Sequence, residues 1–116
     1  MGLLRTKKHH AQYLSYIRRG GLASGCRLCE KKPLKEFKYW RIVENRFPYD
    51  KIANVHHMLI PKRHVGETEL SPRETKELLA LKQGYISAHY EYLIEAVHKQ
   101  KSIPAHFHLH LIVSKD

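Results

Sequence analysis

His106-Phe107-His108-Leu109-His110-Leu111-Ile112 is the stretch that decides how this chain is read. Histidine recurs at every second position with an apolar residue between, and a period of two belongs to a β-strand. Successive strand side chains point to opposite faces. The three imidazoles therefore share one face, and Phe107, Leu109 and Leu111 turn the other way, toward a core. The chain carries ten histidines in 116 residues. At that frequency chance supplies about 0.07 such triplets, so composition does not explain the row. Imidazoles placed like this suit metal ligation, or nucleophilic and proton-transfer chemistry near neutral pH, because the free pKa is ~6.5. A half-buried strand with a histidine-lined polar face is the plain alternative.

Composition narrows the setting. A chain of 116 residues with 42% apolar and 28% charged side chains reads as one globular domain with a modest core. Lys and Arg number 21 against 11 acidic residues, a net charge of +10. That excess favours polyanionic partners: nucleotides, polyphosphates, RNA or an anionic membrane surface. The basic residues come in pairs (Lys7-Lys8, Arg18-Arg19, Lys31-Lys32, Lys62-Arg63), the pattern of a diffuse positive surface and not of a basic tail. No apolar run approaches the ~20 residues that span a bilayer. The first ten residues, MGLLRTKKHH, lack the apolar core of a secretory leader. MGLLRT also fits the loose myristoylation pattern, which is too short to carry weight.

The two cysteines stand in Cys26-Arg27-Leu28-Cys29. Two cysteines cannot staple a small secreted domain, so a reducing, cytoplasmic setting is expected. A CxxC is a redox pair, half of a zinc site, or incidental. The redox reading wants a βαβ context that is not visible here, whereas the histidines supply the two further ligands zinc needs.

Residues 8–18 read as a short amphipathic helix with Ala11, Leu14 and Ile17 on its apolar side, stopped by Gly20-Gly21. Strands are expected at about 38–43, 57–61, 91–97 and 106–113, with a turn at Phe47-Pro48-Tyr49-Asp50. Ser71-Pro72-Arg73-Glu74 has the form of a capping box with proline at the first helical position. It predicts a helix to about Ser87 with Leu78, Leu81 and Tyr85 facing the core. On a strand His57 should face away from His56. The result is an α+β domain whose sheet is mainly antiparallel, with one main helix and a short N-terminal one.

With these segments in order, the chain resembles the histidine triad (HIT) family of nucleotide hydrolases and transferases. That family carries His-φ-His-φ-His-φ-φ near the C-terminus, φ being apolar, and His106 through Ile112 matches every position. Its upstream histidine, apolar run and Ile-Pro-Lys-x-His correspond to His56 through His64, and its zinc-bearing members add a CxxC, as Cys26 and Cys29 do. Val55 stands where the family usually has glycine, and the loop before the triad lacks the usual Gly-Gln-Ser/Thr run. The resemblance implies a HIT-like domain over residues 26–116, preceded by a basic helical extension over 1–25.

The resemblance also implies roles. His108 would be the nucleophile that attacks an α-phosphorus, with His110 and His56 around the phosphate. Asn45 would meet the ribose, with Ser102 and Lys101 near phosphate, although Lys99 and Lys101 also read as ordinary solvated loop charges. Structural zinc would be held by Cys26, Cys29, His64 and His106. The implied activity is cleavage of phosphoanhydride or phosphoramidate bonds through a nucleotidyl-histidine, with dinucleoside polyphosphates or nucleoside phosphoramidates as substrates, in a cytoplasmic homodimer without membrane attachment. The rival is a zinc-stabilised basic module that binds nucleotide or RNA, weakly in the case of RNA, without turnover. A purely structural zinc protein gives His108 and His110 no task.

Overall fold

Val55, Met58, Leu59 and Ile60 favour extended backbone, and they form β3 (Ala53–Pro61), the middle of a five-stranded antiparallel sheet. The computed structural model describes residues 4–20, 26–97, 103 and 105–115. On one side of β3 lie β2 (Trp40–Glu44) and then β1 (Lys35–Glu36). On the other lie β5 (Leu109–Ser114) and then β4 (Tyr92–Ile94), so that the spatial order is β1-β2-β3-β5-β4. This is the α+β architecture with an antiparallel sheet that the sequence predicts.

Register divides the sheet into two unlike faces. Ile42 lies opposite Leu59, and Leu59 opposite Leu109; with Trp40, Leu111 and Phe107 they pack under Leu78, Leu81 and Ile86. Each such side chain contributes about 1.5–3 kcal/mol on burial, so this face holds most of the core stability. On the other face Val43 lies opposite Met58 and Met58 opposite His110. There Leu28, Val43, Met58 and Ile60 form a smaller apolar cluster that gives way to the histidines.

The one-turn α2 (Arg27–Glu30) follows Cys26, and the main helix, α3 (Pro72–Leu81), starts as the capping box requires. The Ser71 hydroxyl accepts the Glu74 N–H at 3.1 Å, and the Glu74 carboxylate accepts the Ser71 N–H at 2.8 Å. The helix passes through a π-helical turn at Lys82–Ile86 into α4 (Ser87–His89), ending two residues beyond the expected Ser87. Trp40 Nε1–H donates to the Glu74 carbonyl at 2.8 Å, which satisfies the buried indole and ties helix to sheet.

Several boundaries move. The histidine strand was expected from residue 106 but pairs only from Leu109. Its neighbour β3 stops at Pro61, and the lead-in is held by Phe107 N–H to the Val65 carbonyl at 2.7 Å. The strand expected at 91–97 shortens to Tyr92–Ile94, β3 begins four residues earlier than expected, and β1 was not anticipated. His57 does face away from His56: its Nδ1 meets the Tyr90 hydroxyl at 2.7 Å on the helix side.

The N-terminal helix, α1 (Lys7–Arg18), ends at Gly20, whose φ of 80° is the left-handed conformation that suits glycine. Its packed side differs from the expected one. Ala11 and Leu14 are exposed, while Tyr13 and Tyr16 lie against Phe47 with ring centroids 5.4 and 5.0 Å apart. The Thr6 N–H and hydroxyl both donate to the Asp50 carboxylate at 2.8 Å, and His9 Nδ1 meets the same carboxylate. Among the described residues no helix is long and apolar enough to cross a membrane.

Candidate active site

Three histidines meet on the second sheet face because β3 and β5 are in register there. The Tyr49 backbone N–H donates to His56 Nδ1 at 2.8 Å, so that nitrogen carries the lone pair and Nε2 carries the proton. His56 Nε2–H then donates to His110 Nδ1 at 2.7 Å. This leaves the His110 proton on Nε2, 3.3 Å from the Tyr49 hydroxyl. Asn45 Oδ1 accepts the Phe47 N–H at 2.8 Å, which brings Nδ2 within 3.2 Å of His56 Nε2. With the His56 proton on that nitrogen, this last contact is between two donors. Burial above all, and then nearby positive groups, drive both His56 and His110 down to about 3, so the pair is neutral at pH 7.

His108 lies beside them, its ring edge-on to His110 with centroids 5.3 Å apart. Its Nδ1 stands 3.0 Å from the His106 carbonyl, which only accepts. The proton is therefore on Nδ1 and the lone pair on Nε2. A short peptide link thus sets the tautomer of the middle histidine.

At the other end of the row, Cys26, Cys29, His64 and His106 bring one donor atom each within 4.8 Å of one another. His106 Nδ1 is 3.3 Å from both cysteine sulfurs, and His64 Nδ1 is 3.3 Å from Cys29 Sγ. A tetrahedral zinc with Zn–S of ~2.3 Å and Zn–N of ~2.0–2.1 Å separates its sulfur and nitrogen ligands by about 3.5 Å, so the set fits. His106 Nε2–H donates to the Pro61 carbonyl at 3.0 Å, leaving the Nδ1 lone pair toward the sulfurs. That outer bond is the kind that orients a metal-ligating imidazole. Arg41 holds the CxxC turn from behind, donating to the carbonyls of Leu28, Cys29 and Lys31. Arg63 forks onto the buried Glu74 carboxylate at 2.6 and 3.1 Å, steadying the segment that carries His64.

Between the histidines, the CxxC turn and α1 runs a cleft of about 100 Å³. His108 and His110 line its floor, Tyr13, Tyr16, Phe47 and Tyr49 its apolar wall, and Arg5, Arg27, Lys31 and Arg46 its charge. Aromatic walls with clustered cations suit a flat ring system bearing an anionic group.

The chain is 20% identical to a HIT family hydrolase from Legionella pneumophila Philadelphia 1 of known structure, over 79% of this chain and 95% of that one, with a TM-score of 0.54. A HIT family hydrolase from Clostridium thermocellum is 19% identical over 80% and 93%, with a TM-score of 0.56. A histidine triad protein from Clostridium difficile is 12% identical over 90% of both chains, with a TM-score of 0.51. The fold is the histidine triad fold. No protein-family model and no curated protein matches the chain.

Within this histidine triad fold, the sequence-predicted residues His56, His108, His110 and Asn45 come together, as do Cys26, Cys29, His64 and His106. Ser102 and Lys101 lie outside the described residues. Tyr49 was read only as part of a turn, yet its N–H and hydroxyl set the His56–His110 pair. Arg5, Tyr13 and Tyr16 were read as extension and helix and nonetheless line the cleft. The net charge of +10 pointed toward an anion but not to these positions.

Proposed function

We propose that the protein is a zinc-stabilised nucleotide hydrolase or nucleotidyltransferase working through a nucleotidyl-histidine at His108. One observation carries this reading: the His108 Nδ1 proton is committed to the His106 carbonyl, so the lone pair lies on Nε2 of a side chain that lines a cationic, aromatic cleft.

In the first half-reaction His108 Nε2 attacks the α-phosphorus. The bond from phosphorus to the leaving oxygen or nitrogen breaks, and that atom takes the bonding pair and then a proton from solvent. The modified ring keeps its Nδ1 proton and is cationic, which makes it a good leaving group. Water or another acceptor then attacks phosphorus and gives up its proton to solvent, the P–N bond breaks, and the lone pair returns to Nε2. His110 Nε2–H, 3.3 Å from the Tyr49 hydroxyl, serves as donor to a phosphate oxygen, and His56 fixes that tautomer. Asn45, with its carbonyl oxygen occupied by Phe47, offers its amide protons to the ribose.

Cys26, Cys29, His64 and His106 would hold zinc, whose contribution is to lock the CxxC turn to the start of the histidine row. On this reading residues 26–116 are the catalytic domain and residues 1–25 a basic helical extension, and the protein is a cytoplasmic homodimer. Dinucleoside polyphosphates and nucleoside phosphoramidates are the substrate classes to try.

The test is acid-quenched labelling with α-phosphorus-labelled substrates of both classes. Label on His108 at short times, with nucleoside monophosphate as product, is expected. Saturable binding without label or product would instead support the nucleotide- or RNA-binding module.

A further inference from the structure

Arg5 belongs to the segment ahead of α1, far in sequence from the histidine row, but its guanidinium enters the same cleft. Its Cζ lies 4.2 Å from the Tyr13 ring centroid and 4.9 Å from that of Tyr49, and Nε–H donates to the Phe47 carbonyl at 2.7 Å. The Tyr49 hydroxyl in turn is 3.3 Å from His110 Nε2. The charged head is therefore gripped one ring away from the triad.

The grip decides what the head can still bind. Both tyrosine rings press on the guanidinium, so stacking on a nucleobase is disfavoured and the edge donors remain. Among the described residues no carboxylate pairs with Arg5, and no acceptor takes its Nη protons. Asp50, the acid of the adjoining turn, is occupied by Thr6 and His9. Lys31 and Arg46 line the same cleft, and burial followed by the Arg46 charge holds Lys31 below its usual value. A half-buried guanidinium with spare planar donors, in like-charged company, is matched by a tetrahedral oxyanion.

We propose that Arg5 is a phosphate-binding residue of this cleft, its Nη donors taking non-bridging oxygens of the phosphate that His108 attacks. The proposal rests on the nucleotide reading given above and goes beyond it, because the residue comes from outside the stretch that resembles the histidine triad family. Thr6 is the positioning device: its two hydrogen bonds to the Asp50 carboxylate anchor the backbone next to Arg5.

Calorimetry on the zinc-replete full chain compares nucleoside 5′-monophosphates with the matching uncharged nucleosides. Arg5→Gln should weaken the monophosphate by about 10- to 100-fold, the scale of a charge-assisted bond, and leave the nucleoside within about twofold. Arg5→Lys should fall between. Raising salt should weaken monophosphate binding more in the wild type than in Arg5→Gln, because screening acts on the guanidinium–phosphate attraction. Nucleoside binding also guards against misfolding, since α1 brings Tyr13 and Tyr16 to the same cleft. Unchanged monophosphate affinity in Arg5→Gln, with the wild type binding and turning over nucleotide, overturns the Arg5 proposal alone. Equal loss of nucleoside and monophosphate also overturns it, marking Arg5 as a scaffold for α1. A wild type that binds no nucleotide overturns both this proposal and the reading beneath it.

Discussion

His56 Nε2 and His110 Nδ1 lie 2.7 Å apart, in two buried rings that share one proton between them. Both rings ionise only near 3, against an ordinary 6.5, chiefly because burial disfavours the charged form. The unfolded chain takes up these protons from about pH 6.5 downward, and the folded chain does not until about pH 3. Stability from the pair is therefore complete above about pH 6.5 and falls as pH drops toward 3. Urea midpoints measured from about pH 7 to about pH 5 should decline steadily, and His110→Gln should flatten the decline. An equally steep fall in that variant would clear the pair of responsibility.

The middle histidine should be the one whose loss is chemical. His108→Ala is expected to lower kcat by at least ~10³-fold with fold, zinc content and nucleotide affinity nearly intact. His110→Ala would remove the proposed phosphate donor and should cost on the order of 10²-fold. Near-normal kcat in His108→Ala, with the label of the acid quench found on His106, would reverse both the nucleophile and the metal assignments.

Elemental analysis of tag-free protein should return about one zinc per chain. Cys26→Ala should lower thermal stability more than it lowers kcat, because a structural metal contributes directly to folding. Stability untouched by a strong chelator would reject the site.

Glu74 should behave as an acid-sensitive strut. The Arg63 bond above all, helped by Ser71, holds its carboxyl down at about 2 against an ordinary 4.5. That depression stabilises the fold above about pH 4.5 and is lost as pH falls toward 2. Glu74→Gln keeps the volume and breaks the fork, so it should cost about 2 kcal/mol at neutral pH. The difference from wild type should shrink in acid; a constant gap would mean that the fork's charge contributes nothing.

Sequence reading reached furthest where local rules act. The alternation from His106 to Ile112 showed which side chains share a face: Phe107, Leu109 and Leu111 all enter one core cluster, although the ladder does not begin until Leu109. Ser71 and Pro72 marked the main helix for the same reason: capping is a matter of four consecutive residues. The side of α1 that packs was misjudged because Tyr13 and Tyr16 answer to Phe47, a contact across about thirty residues that no helical period encodes. Tyr49 and Arg5 escaped notice likewise. A turn can be recognised from Pro48 and Asp50, but the direction in which its side chains project depends on the strands it joins.

The place of β5 between β3 and β4 has a consequence for how the molecule comes into being. β1, β2 and β3 are neighbours in space as in sequence, so they can pair as a nascent chain emerges. β4 has β5 alone as its neighbour and must wait, after a whole helix has been made, for Leu109–Ser114 to slide in beside it. Such late, distant pairing is the slow kind. The same insertion delivers His106 to the cysteines and His108 and His110 to the cleft. A ribosome-bound chain that stops short of this strand therefore lacks both the full Cys26–Cys29–His64–His106 group and the proposed nucleophile, and both arrive with the closing of the sheet.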